Sequence, residues 1–491
     1  MLSPSSVLGK EMFPPLLIAA TASVAIVFAA VVSTGGVGGR DNAWLLILGL
    51  GPLVLLAARL LPPSLPLILT IVFLESPYAL DTDNNRSAAY IAAGLMVWTA
   101  LASFVSVSCP RETGSNPLVG KVWFLAAYGV LSACRGLWLG NPREYVGGDL
   151  FQIEEFAIVF ILVTRLVVDE GTLRRLMVWA LGSTFFTAVW QLAAYNTGRN
   201  ASPNLPIWEG SDFNGSLPRS IDLNALFVLL ALLSLYSVIK SSRQRILIWL
   251  LVVPTAANLL LSFTRGIWLA SLIAVVVCVY LLDGAARSRL LKTAAVAALC
   301  LTMLAGLWRP GSGTANTSLL DAMQDRLSFG VTQVQEGFGG SVAVETRRFV
   351  EITTIAPQIL SSPLLGKGLG GLFWIDALAF INAQDLGIVD FHYMHNLYLL
   401  VGFRLGLIGL GAFLWILYSY FRESVRGYRR MPAGLRKALA AGLIAGVAGE
   451  AVLSMTSPTI LNHPTSALIA CVMALTFRLQ DLTLSQRKTS I

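Results

Sequence analysis

Charge is scarce in this sequence. Only 13% of its 491 residues are Asp, Glu, Lys or Arg, about half the share of a soluble globular chain. Cysteine is sparse as well. Cys109, Cys134, Cys278, Cys300 and Cys471 form no CxxC pair. That spacing excludes a disulfide or zinc framework, and the five read as small buried hydrophobes. No GxSxG, HExxH or Walker loop occurs, which argues against a hydrolase, a zincin and an ATPase. The alternating pattern of membrane strands is absent, so a β-barrel is excluded. The net charge of +8 comes with no basic patch interleaved with aromatics, and so is no nucleic-acid footprint.

What the sequence does contain is apolar length. Stretches of roughly 17–25 residues, each long enough to cross a bilayer, recur along the whole chain. The fold class expected is an all-α polytopic membrane protein with about 12–14 transmembrane helices and a large extracytoplasmic loop. The helices are expected at 13–32, 43–58, 64–80, 87–107, 119–138, 150–168, 174–195, 221–239, 246–262, 266–282, 290–308, 394–421, 438–456 and 464–477. The apolar run Phe13–Ser33 is read as the first spanning helix, not a cleaved signal. Pro62, Pro63 and Pro66 could fold 43–58 and 64–80 into one re-entrant hairpin.

Basic residues set the orientation. The loop at 422–437, RESVRGYRRMPAGLRK, is expected in the cytoplasm because Lys and Arg are retained there. Alternation then puts both termini inside, and every cytoplasmic loop carries a basic residue. Four regions follow: an N-terminal bundle at 1–195, central helices at 196–308, an extracytoplasmic loop at 309–393 and C-terminal helices at 394–491. The loop opens with a polar linker, GSGTANTS. Apolar spacing from Ala343 to Leu360 then predicts an amphipathic helix, and a glycine-rich turn follows, SSPLLGKGLGG at 361–371.

The remaining arginines gather on the outer side. Arg219 precedes one helix, Arg265 sits at a helix boundary, and Arg347 and Arg348 lie on the amphipathic stretch. A guanidinium presents a fixed fork of donors that fits phosphate and never loses its charge. A lone interfacial Arg more often meets lipid phosphate without specificity. His395 opens the helix after the loop, with Asn396 beside it. A neutral imidazole there can take a proton from a hydroxyl. His392 reads as a bystander, and His463, beside Pro464, as a helix-start residue. Arg404 lies about 15 Å into its helix, and Glu450 lies in the next one. Each would cost about 2.5–3.5 kcal/mol facing lipid, so a structural Arg404–Glu450 pair is expected. Asp81 and Asp83 form an Asp-x-Asp pair in an outer loop. It could hold a divalent cation but reads first as a turn and helix cap.

Taken together, these motifs resemble the O-antigen ligase and polymerase superfamily of bacterial membrane glycosyltransferases. The stretch HNLYLLVGFRLGLIGL carries its signature in His395, Asn396, Gly406 and Gly409. TRGIWLA supplies Arg265, and Arg348 precedes PLLGKG by the family's interval. Arg219 ahead of Asn224 is a looser match. The dense part covers about residues 215–420. Arg404 stands where the family often has Glu.

The resemblance implies a fold of the GT-C type and a glycosyltransferase that inverts its donor and needs no metal or cofactor. The donor would be a saccharide on undecaprenyl diphosphate, its diphosphate held by Arg265, Arg348, Arg219 and Arg347. His395 would serve the acceptor hydroxyl, with Asn396 in support. The site would face the periplasm from the bacterial inner membrane. A polymerase of surface polysaccharide or exopolysaccharide is expected first, and a ligase onto lipid A core second. A transporter or lipid flippase is the rival of another class, and a non-catalytic scaffold is a third reading.

Overall fold

The computed structural model describes residues 116–196, 207–208, 217–218, 224–260, 262, 264–307, 343–376, 388–392, 394–461 and 465–489. The expected helices at 13–32, 43–58, 64–80 and 87–107 lie outside these residues. So do the Asp81–Asp83 pair, Arg219, the linker GSGTANTS and His463.

The described chain is almost wholly helical. Its helices are α1 Val119–Trp138, α2 Arg143–Leu166, α3 Glu170–Asn196, α4 Asn224–Val238, α5 Ser242–Leu260 and α6 Arg265–Leu281. They continue as α7 Gly284–Leu307, α8 Ala343–Leu360, α9 Leu397–Arg430, α10 Leu435–Leu453 and α11 Thr465–Thr489. Two small antiparallel ladders interrupt them, β1 Ile207–Trp208 with β2 Leu217–Pro218 and β3 Phe373–Asp376 with β4 Ile388–Phe391. In the second ladder Phe373 faces Phe391 and Asp376 faces Ile388. Among the described residues, the helices at Leu397–Arg430 and Thr465–Ser485 are long and apolar enough to cross a membrane.

Small residues set the packing. α10 is buried between α4, α6 and α11. Its Gly442 lies against Leu230 and Ser234 of α4, Gly446 against the Phe227 ring, and Gly449 against Ala270 and Ala274 of α6. Without a hydrophobic drive between helices in lipid, close backbone approach through small residues supplies the dispersion contacts. α1 shows the same economy of size. Gly129, Ser132, Ala133 and Gly136 are buried, while Trp123, Leu131 and Trp138 point outward. Cys278 and Cys471 are buried as expected, but Cys134, on that outward side of α1, is exposed.

α9 is not one straight helix. Gly406 sits at φ 66° and ψ −172°, so the ladder breaks there. The glycine-rich turn at 361–371 fills the gap. Phe403 and Arg404 carbonyls accept from Lys367 N at 2.8 Å and Gly368 N at 3.0 Å. Leu407 N and Ile408 N donate to Pro363 O at 2.7 Å and Leu364 O at 3.3 Å. The Tyr128 hydroxyl takes the Leu405 carbonyl at 3.0 Å. A broken helix in apolar surroundings is tolerated only when the freed backbone groups find partners inside the protein, and these do. The turn is held from α1 as well, by Arg135 Nε to Gly366 O at 3.1 Å and Leu369 N to Ser132 O at 3.2 Å.

Candidate active site

The site is assembled at one end of α9. The β3–β4 ladder leads the chain to His392, and α9 begins two residues after His395. Asn396 caps that helix, its side-chain oxygen accepting from Leu399 N at 3.1 Å. The cap satisfies an orphan N–H and fixes where the helix starts, so the support expected from Asn396 is local and geometric. Gln358 of α8 clamps β3 by donating to Trp374 O at 3.0 Å and accepting from Trp374 N at 3.3 Å. α8, β3 and the head of α9 are therefore one connected unit.

His395 is about half exposed, 47% by side chain. Glu351, one turn beyond Arg348 on α8, reaches it twice. Glu351 Oε1 accepts from His395 N at 2.9 Å, and Oε2 lies 3.3 Å from His395 Nδ1. Glu351 itself is only 5% exposed. Nothing local in the sequence distinguishes this glutamate from any charge on an amphipathic helix.

Arg265 is the first residue of α6 and is partly buried. Its neighbour Gly266 packs so tightly on Thr456 that an added Cβ would lie 2.5 Å from the Thr456 hydroxyl. Two residues back in the same turn, Ser454 O accepts from Leu397 N at 3.0 Å. The turn after α10 thus braces both the start of α6 and the start of α9. Arg347 and Arg348 have their backbone on α8, and their side chains lie outside the described set. α8, which carries Arg347 and Arg348, thus touches the head of α9 through Glu351, and the start of α6 shares with that head the turn at Ser454–Thr456.

The expected Arg404–Glu450 pair is corrected. Arg404 Nη1 binds Asp149 Oδ1 of α2 at 2.7 Å, and Nη2 donates to His392 O at 2.6 Å. Asp149 is 4% exposed and Arg404 6%. Asp149 Oδ2 also accepts from Gly370 N at 2.7 Å, and its Oδ1 lies 3.3 Å from His392 Nε2. The His392 ring stacks on Tyr145 with centroids 4.1 Å apart. A helix expected only from 150 puts Asp149 just outside it. The helix starts at Arg143, which brings the carboxylate well inside it. His392 is accordingly no bystander, since its carbonyl and ring both join this cluster. A cavity of about 20 Å³ beside it has mostly apolar walls, Leu397, Leu400 and Val401 among them, with Asp149, Gln152 and Arg404 as its polar lining.

Chemically, the head of α9 offers an imidazole beside a buried carboxylate. That pair can accept a proton from a hydroxyl. Residues 247–414, from α5 into α9, match the family model described as O-Antigen ligase. No curated protein matches the chain.

Proposed function

We propose, from the premise that residues 247–414 are an O-antigen ligase-type segment, that the protein is an inverting glycosyltransferase using a polyprenyl diphosphate-linked saccharide. The acceptor hydroxyl oxygen forms the new bond at the anomeric carbon. The bond from that carbon to the diphosphate breaks, and its electron pair leaves with the diphosphate. The hydroxyl proton passes to His395, the base. Arg265, Arg348 and Arg347, with Arg219, bind the diphosphate and offset the charge that grows on it. Fixed donors aimed at developing charge are the strongest single device available to such a site.

The observation that supports this reading is the shared brace. Ser454 bonds the head of α9 and Thr456 abuts the head of α6, while Glu351 ties α8 to His395. These links support reading Arg265, Arg347 and Arg348 as phosphate-binding and His395 as proton-accepting within one site, at a face we read as periplasmic in a multi-pass inner-membrane protein. Polymerisation of a surface polysaccharide or exopolysaccharide is the outcome we favour, and transfer onto lipid A core the second. A broken helix would also suit a transporter. Here the carbonyls of Phe403 and Arg404 and the N–H groups of Leu407 and Ile408 are taken by the glycine turn, which counts against a substrate or ion pathway through the break.

Transfer from lipid-linked donor in proteoliposomes tests the mechanism. His395→Ala and Arg265→Ala are each expected to lose at least about 100-fold in rate, the scale of a general base or an anion-stabilising group. Wild-type rates in both would sink the reading. Lipid analysis of a deletion strain separates the outcomes. Single repeat units accumulating on the carrier indicate a polymerase, and polymer beside bare core indicates a ligase.

A further inference from the structure

We infer that Glu351 is the positioning residue that fixes the tautomer of His395. The inference rests on the reading of His395 as the base. The two contacts of Glu351 divide the work. Oε1 accepts the backbone N–H of His395 at 2.9 Å and holds the chain at the head of α9. Oε2, 3.3 Å from Nδ1, addresses the ring. An ionised carboxylate has only acceptors, so the ring proton is held on Nδ1. Nε2 is then the nitrogen with a lone pair for the acceptor hydroxyl. When Nε2 takes that proton, the ring becomes cationic with an anion at its other nitrogen.

A base oriented by a third group is the general form of an activated acid–base pair. Burial sharpens the effect. Glu351 is 5% exposed, and a carboxylate removed from water acts on a neighbouring charge with less screening. Its place in the sequence adds a link to the donor. Glu351 follows Arg347 by four residues and Arg348 by three on α8, intervals that make neighbours on a helix surface. One rigid helix then sets the distance between the groups proposed for the leaving diphosphate and the base proposed for the acceptor.

Glu351→Gln separates this role from a structural one. The amide oxygen still accepts the His395 backbone N–H, but its NH₂ group donates to Nδ1 and drives the ring proton to Nε2. The full-length protein, labelled with ¹⁵N-histidine, carries three histidines, few enough to assign by single substitutions. The wild type is expected to show His395 as the Nδ1–H tautomer and Glu351→Gln as Nε2–H. Transfer by Glu351→Gln should fall at least about 100-fold in kcat, with donor KM within about twofold. Glu351→Asp, which keeps the carboxylate, should recover part of the rate.

A wild-type His395 already in the Nε2–H form overturns the inference without any variant. So does a Glu351→Gln enzyme with an unchanged tautomer and a wild-type rate. The two readings fail separately. A fully active His395→Ala removes the base and its orienter together, whereas an inactive His395→Ala beside a fully active Glu351→Gln removes only the role of Glu351.

Discussion

Arg404 and Asp149 each meet the other where neither is stable alone. Both are almost fully buried, and one Asp149 oxygen also holds the glycine turn through Gly370 N. Removing one partner leaves an uncompensated buried charge, which typically costs about 3–5 kcal/mol. Arg404→Ala and Asp149→Ala should therefore each lower the unfolding midpoint in detergent sharply. Replacing both with apolar residues of similar size should cost far less than the sum of the two. The sequence made half of this pair visible. An Arg deep in an apolar run announces a partner, but it does not say which. Glu450 stood on the neighbouring helix, while Asp149 stood 255 positions away in sequence and one residue outside an underestimated helix start. An acidic residue of another kind sits before α3. Asp169 accepts from Thr172 N at 2.8 Å and from its hydroxyl at 2.7 Å. The Thr172 hydroxyl holds this carboxyl below its ordinary value of 3.8. Its contribution is thus present above the unfolded pKa and lost as pH falls through the lower folded one. Asp169→Ala should cost about 1 kcal/mol near neutral pH. The gap to wild type should close in unfolding curves taken below the usual carboxylate range.

At the scale of elements, two glycines of α9 make a controlled comparison. At Gly406 the backbone is left-handed, and an added Cβ would run into the Leu364 carbonyl oxygen. At Gly411 nothing lies within 4 Å of that position. Gly406→Ala should lose about 2 kcal/mol or more, since strain and a backbone clash act together. It should also slow transfer by shifting the head of α9. Gly411→Ala should be neutral or gain up to about 1 kcal/mol, as expected when a glycine with ordinary helical geometry is replaced. Thermal unfolding of the two variants side by side decides this. The elements themselves were largely legible. The helix expected at 119–138 is α1, and the amphipathic stretch expected from Ala343 to Leu360 is α8. Apolar period and length carry that information locally. The break at Gly406 was not legible, because its cause is a loop that lies about 40 residues earlier in the chain and supplies the missing hydrogen bonds. The signature glycine was visible, and its reason was not.

At the scale of the molecule, α10 fixes a distance. Its 19 residues span about 28 Å at 1.5 Å per residue, close to the thickness of a bilayer core. The loop before it and the turn after it should then face opposite sides. Cysteines introduced for the exposed residues Ala433 and Met455 should be modified by an impermeant reagent from the cytoplasmic and the periplasmic side, respectively. Labelling of both from one side would contradict the orientation. The charge rule supplies this expected orientation from sequence alone, and the labelling is its test. The link between the starts of α6 and α9 was not readable in the same way, because it depends on which helix ends share the Ser454–Thr456 turn.

The Asp149–Arg404 bond also bears on how the protein can be rebuilt. The family-matched segment, 247–414, contains Arg404 but not Asp149. α1 and α2, which hold the glycine turn and the guanidinium, lie wholly outside it. A graft of 247–414 into a host that matches the same family model would carry Arg404 into a foreign interior without its carboxylate, so the exchangeable unit is larger than the matched segment. Such a chimera should fold poorly in detergent, and an aspartate placed at the host position facing Arg404 should restore it.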